Sequence, residues 1–235
     1  MIAHKKKFFS GFGLLASFGV VLALLFSNVF PGPNNTRQNG LNYLDSLYNS
    51  ISKDSAYNNN IPPLKKRAVD SDTVQLTATI KMTDAKQATQ TALLFEKAGA
   101  EATVSGEQIA INGKLGKIFA SCLEDADNMY KNDGKAISSK YGMDERQVLY
   151  NWHTAFKVLA KELNRQQKFK DAKEFDTISK KAVEFAYNYY KIEPLKISEN
   201  MGIVTFSLVF YVIYTMWFGF AVLFMFEGWG LRLEH

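Results

Sequence analysis

The most informative pattern in this sequence is a pair of long apolar runs near its two ends. Residues 203–226 carry no formal charge, and residues 8–30 form a second run of comparable length. At about 1.5 Å of rise per residue, either run is long enough as a helix to cross a hydrocarbon core about 30 Å thick. The pattern therefore predicts two transmembrane helices, at residues 8–30 and 203–226, which flank one folded domain at residues 31–200.

The domain is predicted to open with a short amphipathic helix. Pro31 and Pro33 end the first apolar helix, because proline cannot continue one. Apolar residues then recur at spacings of three and four, up to a turn rich in asparagine and proline at residues 58–63. This predicted apolar face consists of Leu41, Leu44, Leu47, Tyr48 and Ile51.

A compact βαββ unit is predicted at about residues 73–112. Strict alternation of apolar and polar residues at 74–82 predicts a strand with one buried face. Asp84 followed by Gln87 has the spacing of a helix N-cap with its partner, so a helix is expected to begin there. A β-hairpin is predicted at residues 102–111.

Helices are predicted from about residue 114 to residue 191. The polar segment at residues 164–170 is short, so the last two of these helices should pack as an antiparallel hairpin. The predicted fold class is α+β and mostly helical, with a small βαββ unit followed by a helical hairpin or bundle. The three predicted apolar stripes are Leu115, Ile118, Phe119, Cys122, Leu123, Ala126, Met129 and Tyr130; Val148, Leu149, Trp152, Ala155, Phe156, Leu159, Ala160 and Leu163; and Ile178, Ala182, Phe185, Ala186 and Tyr189.

Charge at the amino end predicts how the chain is oriented in a membrane. The lysines at residues 5–7 precede the first run, and the positive-inside rule keeps such an end in the cytoplasm. We therefore expect a signal anchor in a bacterial inner membrane, with residues 1–7 cytoplasmic, residues 31–200 periplasmic and residues 227–235 a short cytoplasmic tail. A cleaved signal peptide is the alternative; the long apolar core and the lack of an A-x-A-like site argue against it.

Both predicted membrane helices carry residues suited to helix packing. Small residues recur at every fourth position of the first run, which lets a neighbouring helix approach closely, although glycine and alanine are also simply common in membrane helices. The second run is unusually aromatic, and its mid-depth tyrosine hydroxyls prefer a protein partner over lipid. The predicted packing residues are Gly13, Ser17, Gly19, Ala23, Ser27, Tyr211, Tyr214 and Trp217.

Composition argues against catalysis and against nucleic-acid binding. The formal net charge of +5 is spread along the chain without a basic stripe, which a nucleic-acid interface would need. Cys122 is the single cysteine and lies on an apolar stripe, so a buried, inert thiol is expected; His153 has no partner at helical spacing. The acidic run at residues 124–128 lacks the glycine of a calcium loop and is expected to face water. No catalytic, cofactor or metal site is predicted.

Three functions remain open from the sequence. The leading hypothesis is a non-catalytic, membrane-anchored accessory or interaction subunit, whose partners are membrane lipids and either further copies of this chain or other membrane subunits. The second is the input domain of a sensor, with an output domain beyond residue 235; the final Leu-Glu-His resembles the start of a histidine tag and leaves that open. The third is a subunit of a passive pore. The sequence does not identify a small-molecule ligand.

Overall fold

The computed structural model describes residues 2–231 and has a mostly helical α+β fold with small sheets, as predicted. The predicted tag remnant lies outside the described residues. In chain order the elements are α1 (Lys5–Phe26), β1 (Phe30–Pro31), a 3-10 turn (Pro33–Asn35), β2 (Arg37–Gln38), α2 (Gly40–Asp70), β3 (Gln75–Lys81), α3 (Ala85–Lys97), β4 (Glu101–Ser105), β5 (Gln108–Lys114), α4 (Leu115–Tyr130), α5 (Gly134–Tyr141), α6 (Glu145–Arg165), α7 (Phe169–Ile178), a π-helical turn (Ser179–Glu184), α8 (Phe185–Asn188) and α9 (Ile197–Trp229).

These elements form two compact units. The helix-pair unit consists of Met1–Ile51 and Leu195–His235, and the α+β unit is Ser52–Pro194. The helix α2 begins in the first unit and ends in the second. The chain therefore passes from one unit to the other twice, once within α2 and once between Pro194 and Leu195.

The helix-pair unit contains α1 and α9, which pack side by side in antiparallel directions. The ring of Phe18 stacks on that of Tyr214 with centroids 4.4 Å apart, and Lys7 pairs with Glu227 at 2.8 Å. The two helices have 22 and 33 residues, so they extend over about 33 Å and about 50 Å. Both are long and apolar enough to cross a membrane.

The first helix ends earlier than the sequence predicts. It stops at Phe26, several residues before the prolines, and the hydroxyl of Ser27 donates to the carbonyl of Leu24 at 2.6 Å. The following residues pair instead as the short antiparallel strands β1 and β2. Local capping and strand pairing, rather than proline, therefore end this helix.

Helix α2 is longer than predicted, and the expected turn at residues 58–63 is wrong. The helix continues through Pro62 and Pro63 to Asp70. An interior proline costs a helix about 3 kcal/mol or more, because its ring clashes with a carbonyl and it has no N–H to donate. Ile61 and Leu64 are buried on either side of the prolines, and each contributes about 1.5–3 kcal/mol by burial. Packing of this face therefore offsets at least part of the local cost of the two prolines.

A three-stranded antiparallel sheet lies at the start of the α+β unit. Its order is β3-β5-β4, so the last strand of the predicted βαββ unit is central. Alternate residues of β3 and β5 are buried, and α3 and α6 cover that face. The Asp84 side chain accepts from the backbone N–H of Gln87 at 2.8 Å, which confirms the predicted N-cap. Strand β5 runs three residues beyond the predicted hairpin.

The helical part of the unit packs around an aromatic core. Rings of Phe95, Trp152, Phe156, Phe175 and Phe119 meet in edge-to-face pairs with centroids 4.8–6.0 Å apart. Helices α6 and α7 pack against each other as the predicted hairpin. The short helix α5 was not predicted, and the third predicted stripe contains a π-helical turn rather than a regular helix.

Candidate functional site

The expectation that the acidic run at residues 124–128 faces water is wrong for two of its carboxylates. Asp125 is fully buried in the α+β unit. Its Oδ1 accepts from Lys140 at 2.9 Å, and its Oδ2 accepts from the Tyr141 hydroxyl at 2.6 Å and the Trp152 indole at 2.8 Å. Burial raises the pKa of Asp125 although these donors oppose the rise. This cluster joins α4, α5 and α6.

Asp127 lies on the opposite side of α4 from Asp125 and joins α4 to α2. Its carboxylate accepts from the Tyr57 hydroxyl at 2.7 Å, from Lys65 at 2.5 Å and from Lys131 at 3.1 Å. Burial acts to raise the pKa of Asp127, but these three donors outweigh it and hold the pKa below the usual value for aspartate. Asp127 is therefore a charged structural link beside the cavity described next.

A cavity of about 280 Å³ lies next to Asp127, wholly within the α+β unit. Three segments line it: α2 near Lys53, the end of α4 with the turn at Asn132, and the segment at Glu193 and Pro194. These segments are far apart in sequence, so the cavity depends on the folded unit. We call it the Lys53 cavity.

Lys53 and Asn132 hold the three segments together. The Lys53 ammonium is almost completely buried and donates to the Asn132 side chain at 2.8 Å and to the Ile192 carbonyl at 2.5 Å. Asn132 has a φ of 60°, in the left-handed region, and its amide donates to Glu193 at 3.0 Å. Burial lowers the pKa of Lys53, which Glu193 partly opposes.

Tyr130 lines the same cavity and has an unsatisfied hydroxyl. The residue is only 3% exposed, and among the described residues its hydroxyl has no hydrogen-bond partner. A buried polar group without a partner costs about 1–3 kcal/mol, so native structures rarely keep one without a reason. Burial raises the pKa of this phenol well above its usual value, so it is a neutral donor at physiological pH.

The cavity presents charges of both signs. Lys53 and Lys131 supply ammonium groups, whereas Asp54 and Glu193 supply carboxylates. The rings of Tyr57 and Tyr130 meet edge to face, with centroids 5.4 Å apart, and supply its apolar surface. The cavity therefore combines aromatic walls with charged groups of both signs, which suits a small polar ligand.

The chain was compared with protein-family models, with curated proteins and with solved structures. It matches none of them. We therefore infer the function from the geometry of this chain.

The sequence-predicted thiol and histidine lie outside the Lys53 cavity. Cys122 is fully buried, as predicted, and burial raises the pKa of its thiol. His153 is half-buried, and its Nδ1 lies 3.0 Å from the Ser179 hydroxyl on the π-helical turn. Burial and then Lys157 lower the pKa of His153.

Within residues 2–231, no group of three or more His, Cys, Asp or Glu residues is placed to hold a metal ion.

The predicted membrane-packing residues divide into two groups. Tyr214 and Trp217 contact α1, and the Trp217 indole donates to the Leu14 carbonyl at 3.1 Å. Tyr211 is exposed. On α1, Gly13, Ser17, Gly19 and Ala23 are exposed, while Ser27 is half-buried. Their packing against another chain stays a prediction.

Close approach of α1 and α9 uses glycines that the sequence prediction did not include. A Cβ added at Gly11 would lie 2.7 Å from the Met225 nitrogen and 2.8 Å from the Ala221 carbonyl oxygen. At Gly228 it would lie 2.4 Å from the Phe8 nitrogen. By contrast, a Cβ at Gly13 would meet no atom within 4 Å. The small-residue spacing therefore did not mark the face of α1 that contacts α9.

Lys53 was missed because it lies off the predicted apolar face of the helix, which ends at Ile51. Lys53, Tyr57, Ile61 and Leu64 follow one another at spacings of four, four and three, so they lie on one helical face. That spacing continues through the Asn-rich stretch at residues 58–60. It was the sequence signal that could have placed Lys53 and Tyr57 on one continuous helix. The segment at residues 192–194, which completes the cavity, has no periodic pattern that would place it there.

Proposed function

We propose that this protein is a non-catalytic, membrane-anchored accessory subunit that assembles with further copies of itself or with other membrane subunits. The observation that carries the proposal is the exposed apolar surface of α1 and α9. The helices pack on each other, yet only 6% of the most apolar window of either one is buried. The core helix of a water-soluble protein would be mostly buried, so this surface favours a lipid environment.

Charge at one end of the helix pair supports a defined orientation. Lys7 and Glu227 form an ion pair, so the amino end of α1 and the carboxyl end of α9 lie together. With Lys5 and Lys6 at the same end, the positive-inside rule favours the cytoplasm for this end. Residues 31–200 then belong to the periplasmic side of a bacterial inner membrane.

The face of α1 turned away from α9 supports assembly. Gly13, Ala16, Ser17, Val20 and Ala23 are exposed and recur at spacings of three and four, so they form one stripe. Small side chains there would allow the backbone of another membrane helix to approach closely.

The decisive experiment is a mass measurement of the full chain in lipid nanodiscs, with subunits co-purified from native membranes. We expect an oligomer or a stable hetero-complex. Replacing Ala16 by leucine on the outer stripe should weaken it, whereas Val212→Leu on the exposed surface of α9 should not. A strictly monomeric chain without co-purified subunits would contradict the proposal.

A sensor input domain is the second candidate, favoured by the position of the Lys53 cavity. The chain enters the α+β unit at Ser52 and leaves it after Pro194. Lys53 and Pro194, which both line the cavity, therefore lie at these two connections. A ligand held there would act on the segments through which the α+β unit connects to both apolar helices. The test is limited proteolysis of the segment at residues 189–196 with and without ligand; unchanged cleavage would argue against this candidate.

A further inference from the structure

We propose that the Lys53 cavity binds a small zwitterion that carries both a carboxylate and an ammonium group, the chemical class of free α-amino acids. The proposal concerns the α+β unit alone. It goes beyond the proposed function and holds for an accessory subunit as well as for a sensor. Its failure would leave the membrane proposal standing.

The carboxylate of the ligand would be held by the lysines. An ammonium has three N–H donors, and Lys53 uses two of them on Asn132 and the Ile192 carbonyl, so a third is available within the described structure. Lys131 gives one donor to Asp127 at 3.1 Å and is otherwise exposed. Hydrogen bonds from ammonium groups to a carboxylate are among the stronger ones in proteins.

The ammonium of the ligand would be held by Asp54, Glu193 and the tyrosine rings. One oxygen of Glu193 accepts from Asn132, and the carboxylate retains further acceptor capacity. Aromatic faces attract cations, and Tyr57 lies at the same wall of the cavity. A simple anion would offer Asp54 and Glu193 no cationic group, whereas a simple amine would offer the remaining donors of Lys53 and Lys131 no carboxylate.

The hydroxyl of Tyr130 gives independent support for a ligand. It is buried and without a partner in the described residues, and it belongs to a side chain of the cavity wall. A bound carboxylate or a water molecule held by the ligand would satisfy it. The volume of about 280 Å³ limits the ligand to a small molecule, since drug-sized ligands occupy cavities of about 300–1,000 Å³.

The direct test is isothermal titration of the full chain in detergent with three matched probes. L-alanine carries both charges, propionate lacks the ammonium, and ethylamine lacks the carboxylate. Glycine, serine and threonine extend the zwitterion series. We expect saturable binding of at least one zwitterion, at least about tenfold tighter than propionate or ethylamine, because each of these leaves one set of charges unpaired.

Variants locate the binding in the cavity. Lys131→Gln and Asp54→Asn should each weaken zwitterion binding about tenfold, and Tyr130→Phe should weaken it about fivefold. The matched controls are Lys135→Gln and Tyr150→Phe, exposed residues that do not line the cavity, and they should bind like the parent chain. Lys53 itself is avoided because its loss would leave buried partners unpaired and endanger folding.

Several results would overturn the proposal. They are the absence of saturable binding by all four zwitterions, equal binding of propionate or ethylamine, and binding that the three cavity variants leave unchanged. If Tyr130→Phe only raises the melting temperature and no probe binds, the hydroxyl is a structural defect rather than part of a site.

Discussion

Asp125 is the clearest case of a single residue that holds several elements together. Three donors from α5 and α6 converge on one buried carboxylate. A buried charge of this kind is expensive to create but even more expensive to leave half-paired, because the remaining group cannot regain its hydration. Its net contribution to stability is therefore best measured by removing the partners together as well as separately.

We expect Asp125→Asn to destabilise the α+β unit by about 3–5 kcal/mol, the cost of breaking a buried ion pair. The amide cannot accept from all three donors, and its NH₂ group would face either the Lys140 ammonium or the Tyr141 and Trp152 donors. Since about 1 kcal/mol shifts the melting temperature by roughly 2–4 °C in a protein of this size, a fall of about 10 °C is expected in thermal unfolding.

The control for this substitution is its neighbour. Glu124 is largely exposed, so Glu124→Gln should change the melting temperature by less than about 2 °C. The double variant Asp125→Asn, Lys140→Met should recover part of the loss, because the unpaired ammonium is removed as well. Equal effects of Asp125→Asn and Glu124→Gln would contradict the assigned role.

The burial of Asp125 and Asp127 could not be predicted from the sequence alone. Asp125 lies three residues after Cys122, and Asp127 lies four after Leu123, so each borders the apolar stripe of α4. Such border positions are buried or exposed according to what packs beside them. The packing of α2 and α5 was not predicted, so the sequence alone could not decide this.

At the scale of elements, predictions succeeded where one periodic pattern ran without interruption. The strand β3 and the helices α4 and α6 lie where their apolar periodicity placed them. The errors occurred where a local signal disagreed with distant packing, as at Pro62 and Pro63 within α2. Proline rules describe the local backbone cost, whereas the burial that opposes it depends on elements that follow later in the chain.

The contact between α1 and α9 can be tested by a substitution at Gly11. Gly11→Leu should separate α1 from α9, because even a Cβ there would overlap backbone atoms of α9. With Phe18→Cys and Tyr214→Cys as a facing pair, cross-linking by a short bismaleimide should fall severalfold in this variant. Mass spectrometry of protease fragments measures the cross-linked fraction.

The matched control for this experiment is Gly13→Leu. It makes the same change on the same helix, at a position with no atom within 4 Å of an added Cβ. Cross-linking within one chain should therefore stay at the parent level. A similar loss in both variants would show that leucine disturbs α1 itself rather than its contact with α9.

At the scale of the whole molecule, the proposed topology can be tested by cysteine labelling with very little labelling of the native thiol. The native thiol of Cys122 is fully buried, and burial raises its pKa well above the usual value. Thiolate is the species that reacts with maleimides, so the parent chain should remain unlabelled. Introduced cysteines therefore report on their own positions.

We expect a membrane-impermeant maleimide to label Glu107→Cys in intact right-side-out vesicles, because this exposed position lies between the two predicted spans. His4→Cys, in the basic amino-terminal segment, should be labelled only after detergent opens the vesicles. Labelling of His4→Cys in sealed vesicles, or of Glu107→Cys only after lysis, would contradict the proposed orientation and indicate the inverted one. If the first helix were a cleaved signal peptide, the mature chain would lack residue 4, and His4→Cys would stay unlabelled even in detergent. The two positions thus separate an anchored chain, an inverted one and a processed one within a single experiment.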